Sequence, residues 1–207
     1  ISALAGEEST GKTFFMLALL KNFLDQDPQA VSVIFESEGS ITKEIMTERG
    51  IDTKRVYIVP VETVQQFKTQ AVRVIENHLK TPEKNRRPLF MALDSLGMLS
   101  TTKEMADSET GKEVKDMTRT SEIRAAFRVL TLKLSKAKIP LVVTNHVYQS
   151  VTSFFPTKEM SGGGGLKYSA NNIIALGKSK EKDAEGTVTG AIIKCKVMKS
   201  RLIREHS

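Results

Sequence analysis

The 207-residue sequence has no tryptophan, one cysteine, three histidines and six prolines, and aromatic residues make up only 6% of it. The single Cys195 excludes an internal disulfide framework and any cysteine-based zinc site, and it fits a reducing compartment. His78, His146 and His206 are too widely spaced to suggest a transition-metal site. No apolar run approaches the roughly 20 residues of a membrane span, and no signal-peptide pattern opens the chain. Glycine and proline are too few for a disordered segment class, and no repeat or low-complexity tract occurs beyond the four glycines at 162–165. These absences leave one α/β domain over residues 1–207, long enough to bury a substantial core.

Charge is present in excess of one sign. The formal net charge of +7 permits a polyanionic partner. Between Lys178 and Arg204 eight Lys or Arg face three acids, so the excess concentrates near the end of the sequence. A solvated face and a nucleic-acid surface both account for that run.

The strongest motif is Gly6-Glu7-Glu8-Ser9-Thr10-Gly11-Lys12-Thr13, which fits the phosphate-binding pattern G-x-x-x-x-G-K-[ST]. An apolar stub from Ile1 to Ala5 precedes it, and the helix-forming run Phe14-Phe15-Met16-Leu17-Ala18-Leu19-Leu20 follows. A strand, a tight glycine loop and a helix N-terminus aim backbone N–H groups and a positive dipole end at one point. That point suits a nucleoside triphosphate, with Lys12 on the outer phosphates and the Thr13 hydroxyl on Mg²⁺. A glycine turn that merely precedes a helix is the plainer alternative.

Strand patterns recur at 1–5, 31–35, 56–59, 89–94 and 140–144, and helical patterns at 11–25, 42–49 and after 63 and 118. Val64, Phe67, Ala71, Ile75 and Leu79 form one stripe, as do Ile123, Phe127, Leu130 and Leu134. Residues 100–116 are polar and lack any period, and 147–165 is polar and glycine-rich at its end, so both read as loops. Strands near 172–177, 188–198 and 201–204 close the chain without intervening helices. The expected fold is therefore α/β, a mostly parallel sheet flanked by helices, with antiparallel strands added at the C-terminal edge.

Further candidates lie at the ends of these strands. Asp94 ends an apolar strand, where an acid can orient a Mg²⁺-bound water across from the P-loop hydroxyl. Glu36 and Glu38 point to the same side of their strand's end, and either carboxylate could polarise a water in line with the γ-phosphate. Asn145 and His146 end another strand, either as a sensor of that phosphate or as a plain strand end. In the run from Ser161 to Tyr168, four glycines remove local conformational preference and expose backbone N–H groups to phosphates. Phe154 and Phe155 in the same loop suit base stacking, while a flexible linker is the bland reading.

Taken in order, these segments resemble the ATPase core of the RecA-type strand-exchange recombinases, and among them the UvsX recombinases of T-even-type phages. The resemblance is carried by Gly6 to Thr13, Phe35-Glu36-Ser37-Glu38-Gly39, Leu93-Asp94-Ser95-Leu96-Gly97, Val114 to Arg119, Asn145-His146, Gly163 to Ala170, and Lys199-Ser200-Arg201. It implies a RecA-like P-loop NTPase core that uses ATP and Mg²⁺. By that resemblance Glu38 is the catalytic carboxylate, Asp94 the Mg²⁺-associated acid, and His146 stands where bacterial members have a γ-phosphate-sensing Gln. Lys199 and Arg201 match the basic pair that reaches a neighbouring subunit's ATP. Glu36 replaces the family's more usual Asp and keeps its charge.

The loops at 100–116 and 147–165 match two DNA-binding loops, which implies DNA contacts from Arg119, Phe154, Phe155, Lys158, Gly162, Gly163, Gly164 and Lys167. The implied partners are single-stranded DNA, homologous duplex DNA, further copies in a helical filament, and mediator and single-strand-binding proteins, in the cytoplasm of a bacterial host. The first residue already lies in the P-loop strand, so the sequence reads as the core of a longer protein, without counterparts of the family's N-terminal oligomerisation segment and C-terminal region. A RecA-fold ATP-binding regulator and a hexameric helicase motor share the P-loop. The long loop ending in four glycines and Leu166-Lys167-Tyr168 favours the recombinase.

Overall fold

The computed structural model describes residues 1–111, 118–150, 157–161 and 164–201. Eight strands and six α-helices lie along them. In chain order they are β1 (Ser2–Gly6), α1 (Lys12–Gln26), β2 (Val31–Glu36), α2 (Lys43–Glu48), β3 (Val56–Pro60), α3 (Val64–Lys80) and β4 (Leu89–Asp94). Then come α4 (Thr102–Glu109), α5 (Arg119–Ala137), β5 (Leu141–Ser150), β6 (Thr157–Met160), α6 (Gly164–Ser169), β7 (Asn172–Lys182) and β8 (Val188–Ser200). The sheet runs in the order β3-β2-β4-β5-β1-β7-β8. From β3 to β7 neighbouring strands are parallel, and β8 returns antiparallel to β7.

The period-2 alternation of the strands sorts their side chains into two cores, one on each face. Phe35, Met91, Leu93 and Val143 pack with the α3 stripe Val64, Phe67, Ala71 and Ile75 and with Ile123, Phe127, Leu130 and Leu134 of α5. Leu4, Ile34, Phe90, Ala92 and Val142 pack on the other face against Met16, Leu17, Leu20 and Leu24 of α1. All of β4 is buried, as a central parallel strand should be. No helix among the described residues is long and apolar enough to cross a membrane.

Two expected loops are more structured than their composition suggests. Within 100–116, Thr102–Glu109 is a helix opened by a capping box, in which the Thr101 hydroxyl accepts from the Glu104 N–H and the Glu104 carboxylate accepts from the Thr101 N–H. Within 147–165, β5 continues to Ser150 and β6 pairs back on it, Val147 opposite Met160. Gly164 and Gly165 are not part of a loop but open α6. A Cβ at Gly165 would lie 3.0 Å from the backbone of Arg124, so this glycine serves close packing of α6 on α5. The strand expected at 201–204 falls mostly outside the described residues, and β8 ends at Ser200.

Candidate nucleotide site

Register brings the ends of four parallel strands together. Gly6 of β1 lies opposite His146 of β5, and Glu36 of β2 lies opposite Asp94 of β4. Loops leaving the carboxyl ends of such strands converge on whatever binds there.

The P-loop keeps its shape by close contact and positive φ. Ser9 and Gly11 sit at φ 58° and 83°, the left-handed region. A Cβ at Gly6 would collide with the Thr10 hydroxyl and approach the Leu176 carbonyl oxygen to 2.8 Å, so only glycine fits. The Thr10 hydroxyl and the Lys12 ammonium both donate to the Glu7 carbonyl, each at 2.8 Å. No side chain caps α1, and its first turn carries no acid, which leaves the positive end of its dipole open to an anion. Lys12 is buried, which lowers its pKa, while the carboxylates of Glu38, Asp94 and Glu8 oppose that shift.

Asp94 is the anchor of the cradle. It is only 1% exposed, and its two oxygens accept from the hydroxyls of Thr13, at 2.7 Å, and Thr144. Burial raises its pKa; the two hydroxyl bonds oppose this, and the charges of Glu38 and Glu36 add to the rise. A cation beside Thr13 and Asp94 would reverse that penalty. No group of three His, Cys, Asp or Glu able to hold a metal occurs among the described residues, so Mg²⁺ there would need the nucleotide's own oxygens.

The two candidate glutamates separate by environment. Glu36 is buried and accepts from the backbone N–H groups of Glu38, Gly39 and Ser40 at 3.1, 2.7 and 2.9 Å. It therefore shapes the turn after β2. Glu38 faces the cradle: its Oε1 accepts from the Ser95 hydroxyl at 2.5 Å and lies 3.1 Å from His146 Nε2. Burial alone would raise the Glu38 pKa, but hydrogen bonds from Ser95 and His146, with the imidazole and Lys12 charges, hold it below the usual glutamate range. Ser37 braces this corner, donating to the Ser95 carbonyl at 2.9 Å and accepting from the Ser95 N–H at 2.9 Å.

Ser37, Ser95 and Thr144 escaped the sequence reading. Their hydroxyls have no motif of their own, and the signal was adjacency: each neighbours a residue already singled out at a strand end.

The basic pair lies elsewhere. Lys199 Nζ donates to the Lys167 carbonyl at 2.7 Å, and Arg201 Nη2 to the Tyr168 carbonyl at 3.1 Å. In register, Lys199 lies opposite Ile173 at the start of β7, while Gly6 lies opposite Leu176 further along it. The pair thus sits toward the end of the sheet away from this chain's P-loop. Burial lowers the Lys199 pKa, and the Arg201 and Lys167 charges lower it further.

Of the expected DNA contacts, Lys167 is exposed on α6 and Gly164 begins that helix. The Arg119 guanidinium is engaged by the carbonyls of Leu96, Gly97 and Leu99. Lys158 lies on β6. Phe154, Phe155, Gly162 and Gly163 lie outside the described residues.

Residues 1–206 match the family model described as the RecA N-terminal domain. The chain is 33% identical over 204 residues to the "Recombination and repair protein" of Enterobacteria phage T4, covering 99% of this chain and 50% of that protein. It is 24% identical over 198 residues to "Protein RecA" of Mesomycoplasma hyopneumoniae, covering 95% of this chain and 55% of that protein. A "Protein RecA" of Ruegeria pomeroyi is 23% identical over 205 residues, with 95% and 54% covered. The chain thus spans about half the length of these relatives.

Proposed function

Because the chain belongs to the RecA family, we propose that it is the ATPase core of a DNA recombinase, acting on single-stranded and homologous duplex DNA within a filament of like subunits. One observation carries this reading: Lys12, Thr13 with Asp94, and Glu38 with His146 converge at one cradle, while Lys199 and Arg201 sit at the far end of β7. Three residue steps of strand separate the β7 position opposite Lys199, Ile173, from the one opposite Gly6, Leu176, about 10 Å at strand rise. A basic pair so placed suits the ATP of a neighbouring copy, in the manner of an arginine finger supplied in trans.

In this mechanism the P-loop N–H groups and Lys12 hold the phosphates. Mg²⁺ arriving with the nucleotide would be held by the Thr13 hydroxyl and Asp94, and would supply positive charge to the phosphate oxygens. Two donors occupy Oε1 of Glu38, which leaves Oε2 to orient and polarise a water. His146, on the strand that continues into the β5–β6 hairpin, exchanges its Glu38 contact for the γ-phosphate and so passes nucleotide state to the hairpin. DNA is held through its phosphates, with little sequence preference and strong salt dependence.

The test is ATP turnover with and without single-stranded DNA. Stimulation by DNA, abolished by Lys12→Ala, is expected. Turnover indifferent to both DNA and Lys12 would contradict the reading.

A further inference from the structure

Arg119 is the first residue of α5, where a helix dipole opposes a cation. Four acceptors hold it there. Its Nε donates to the Leu99 carbonyl at 2.9 Å, Nη2 to the carbonyls of Gly97 at 2.9 Å and Leu96 at 3.2 Å, and Nη1 to the Ser161 hydroxyl at 3.3 Å. It pairs with no carboxylate among the described residues. The first three acceptors belong to the 3-10 turn Leu96–Met98 and the residue after it, which lead into α4. The fourth closes the β5–β6 hairpin.

Ser161 is itself fastened to β5. Its N–H donates to the His146 carbonyl at 2.9 Å, and its carbonyl accepts from Asn145 Nδ2 at 2.9 Å. Gly97 lies flat against the His146 ring: a Cβ there would come within 2.8 Å of Cδ2. Glu38, His146, Gly97, Ser161 and Arg119 therefore form one continuous contact path.

We infer that Arg119 is a positioning residue that locks the base of the 96–111 segment to the base of the β5–β6 hairpin, so that displacement of His146 moves both together. This rests on the reading of the chain as an ATP-dependent DNA-binding core. A planar fork with five N–H donors can span carbonyls of one turn and a hydroxyl of another segment at once, which a lysine cannot. The glycine at 97 belongs to the same device, since any side chain there would push the turn off the imidazole.

The test is hydrogen–deuterium exchange with a non-hydrolysable ATP analogue and Mg²⁺, on the wild type and Arg119→Gln, with nucleotide binding measured in parallel. In the wild type the analogue is expected to change exchange in both 96–111 and 147–161. In Arg119→Gln the response of 147–161 should persist and that of 96–111 should be lost. Ser161→Ala removes a single bond of the clamp and guards against misfolding of the first variant; it should weaken the 96–111 response in the same direction. Coupled responses retained in both variants would overturn the inference.

The salt dependence of single-stranded DNA affinity adds a second arm. A positioning role leaves its slope unchanged in Arg119→Gln. A slope smaller by about one, with both segments still responding, marks a direct phosphate contact and overturns the inference. A wild type that binds no nucleotide overturns the functional reading, and the inference with it.

Discussion

Lys12 and the pair Lys199 and Arg201 occupy opposite electrostatic settings. Lys12 is buried among carboxylates of its own chain, and Glu38, Asp94 and Glu8 all stabilise its charge. Lys199 and Arg201 pair with no carboxylate among the described residues, and each is a cost to the other and to Lys167. They rest on the carbonyls of Lys167 and Tyr168. The first cation completes a site within the chain. No described acid neutralises the second pair, and an outside polyanion would relieve its repulsion, which fits the proposed sharing of a nucleotide between two copies.

Removing the second cluster should show the difference most strongly. Lys199→Ala with Arg201→Ala should lower turnover of the assembled protein by about 10³–10⁵-fold, the range of a trans-acting finger, while nucleotide binding to the isolated chain persists. Equal loss of binding in dilute monomer would mean that the pair serves its own chain. Glu38→Gln should cut turnover by about 10²–10⁴-fold with nucleotide still bound; if Glu36→Gln has that kinetic effect with its fold intact, the carboxylates are misassigned. Lys12→Ala should weaken nucleotide affinity by about 10–100-fold, the worth of a charge-assisted hydrogen bond, in monomer and assembly alike.

The smallest effects are on stability. Asp94 has a raised pKa, so its burial costs stability as pH rises through that value and the carboxylate ionises. Asp94→Asn should therefore raise the neutral-pH melting temperature of nucleotide-free protein while weakening Mg²⁺-nucleotide binding. Glu38 behaves oppositely. Its lowered pKa gives stability that is complete above the ordinary glutamate range and lost as pH falls through the folded value. Ser95→Ala should accordingly destabilise the protein more at neutral pH than in acid, as denaturant midpoints at both pH values would report.

How far the sequence disclosed these features follows from their physics. The P-loop was legible because glycine and lysine at fixed spacing have few other uses between a strand and a helix. The α3 and α5 stripes were legible from period alone. The helix at Thr102–Glu109 was missed because it has no apolar stripe and no buried residue, although its capping box stood in the sequence as Thr101 and Glu104. The β5–β6 hairpin was missed because the four residues of β5 beyond His146 pair with β6, a contact that no local pattern records. Glu36 and Glu38 cannot be told apart by spacing; the three backbone N–H donors around Glu36 separate their environments and support Glu38 as the proposed catalytic group. Arg119 is expected from the sequence as a DNA contact; its bonds to the carbonyls of Leu96, Gly97 and Leu99, 20–23 residues away, have no signature there.

The half-site is tested most directly by mixing two inactive chains. Lys12→Ala keeps Lys199 and Arg201, and the Lys199→Ala/Arg201→Ala chain keeps an intact cradle. Combined on single-stranded DNA, the two should recover ATP turnover well above the sum of their separate rates, because mixed interfaces join one good half from each. Turnover no greater than that sum, in a mixture shown to co-assemble, would contradict a nucleotide shared between neighbouring copies.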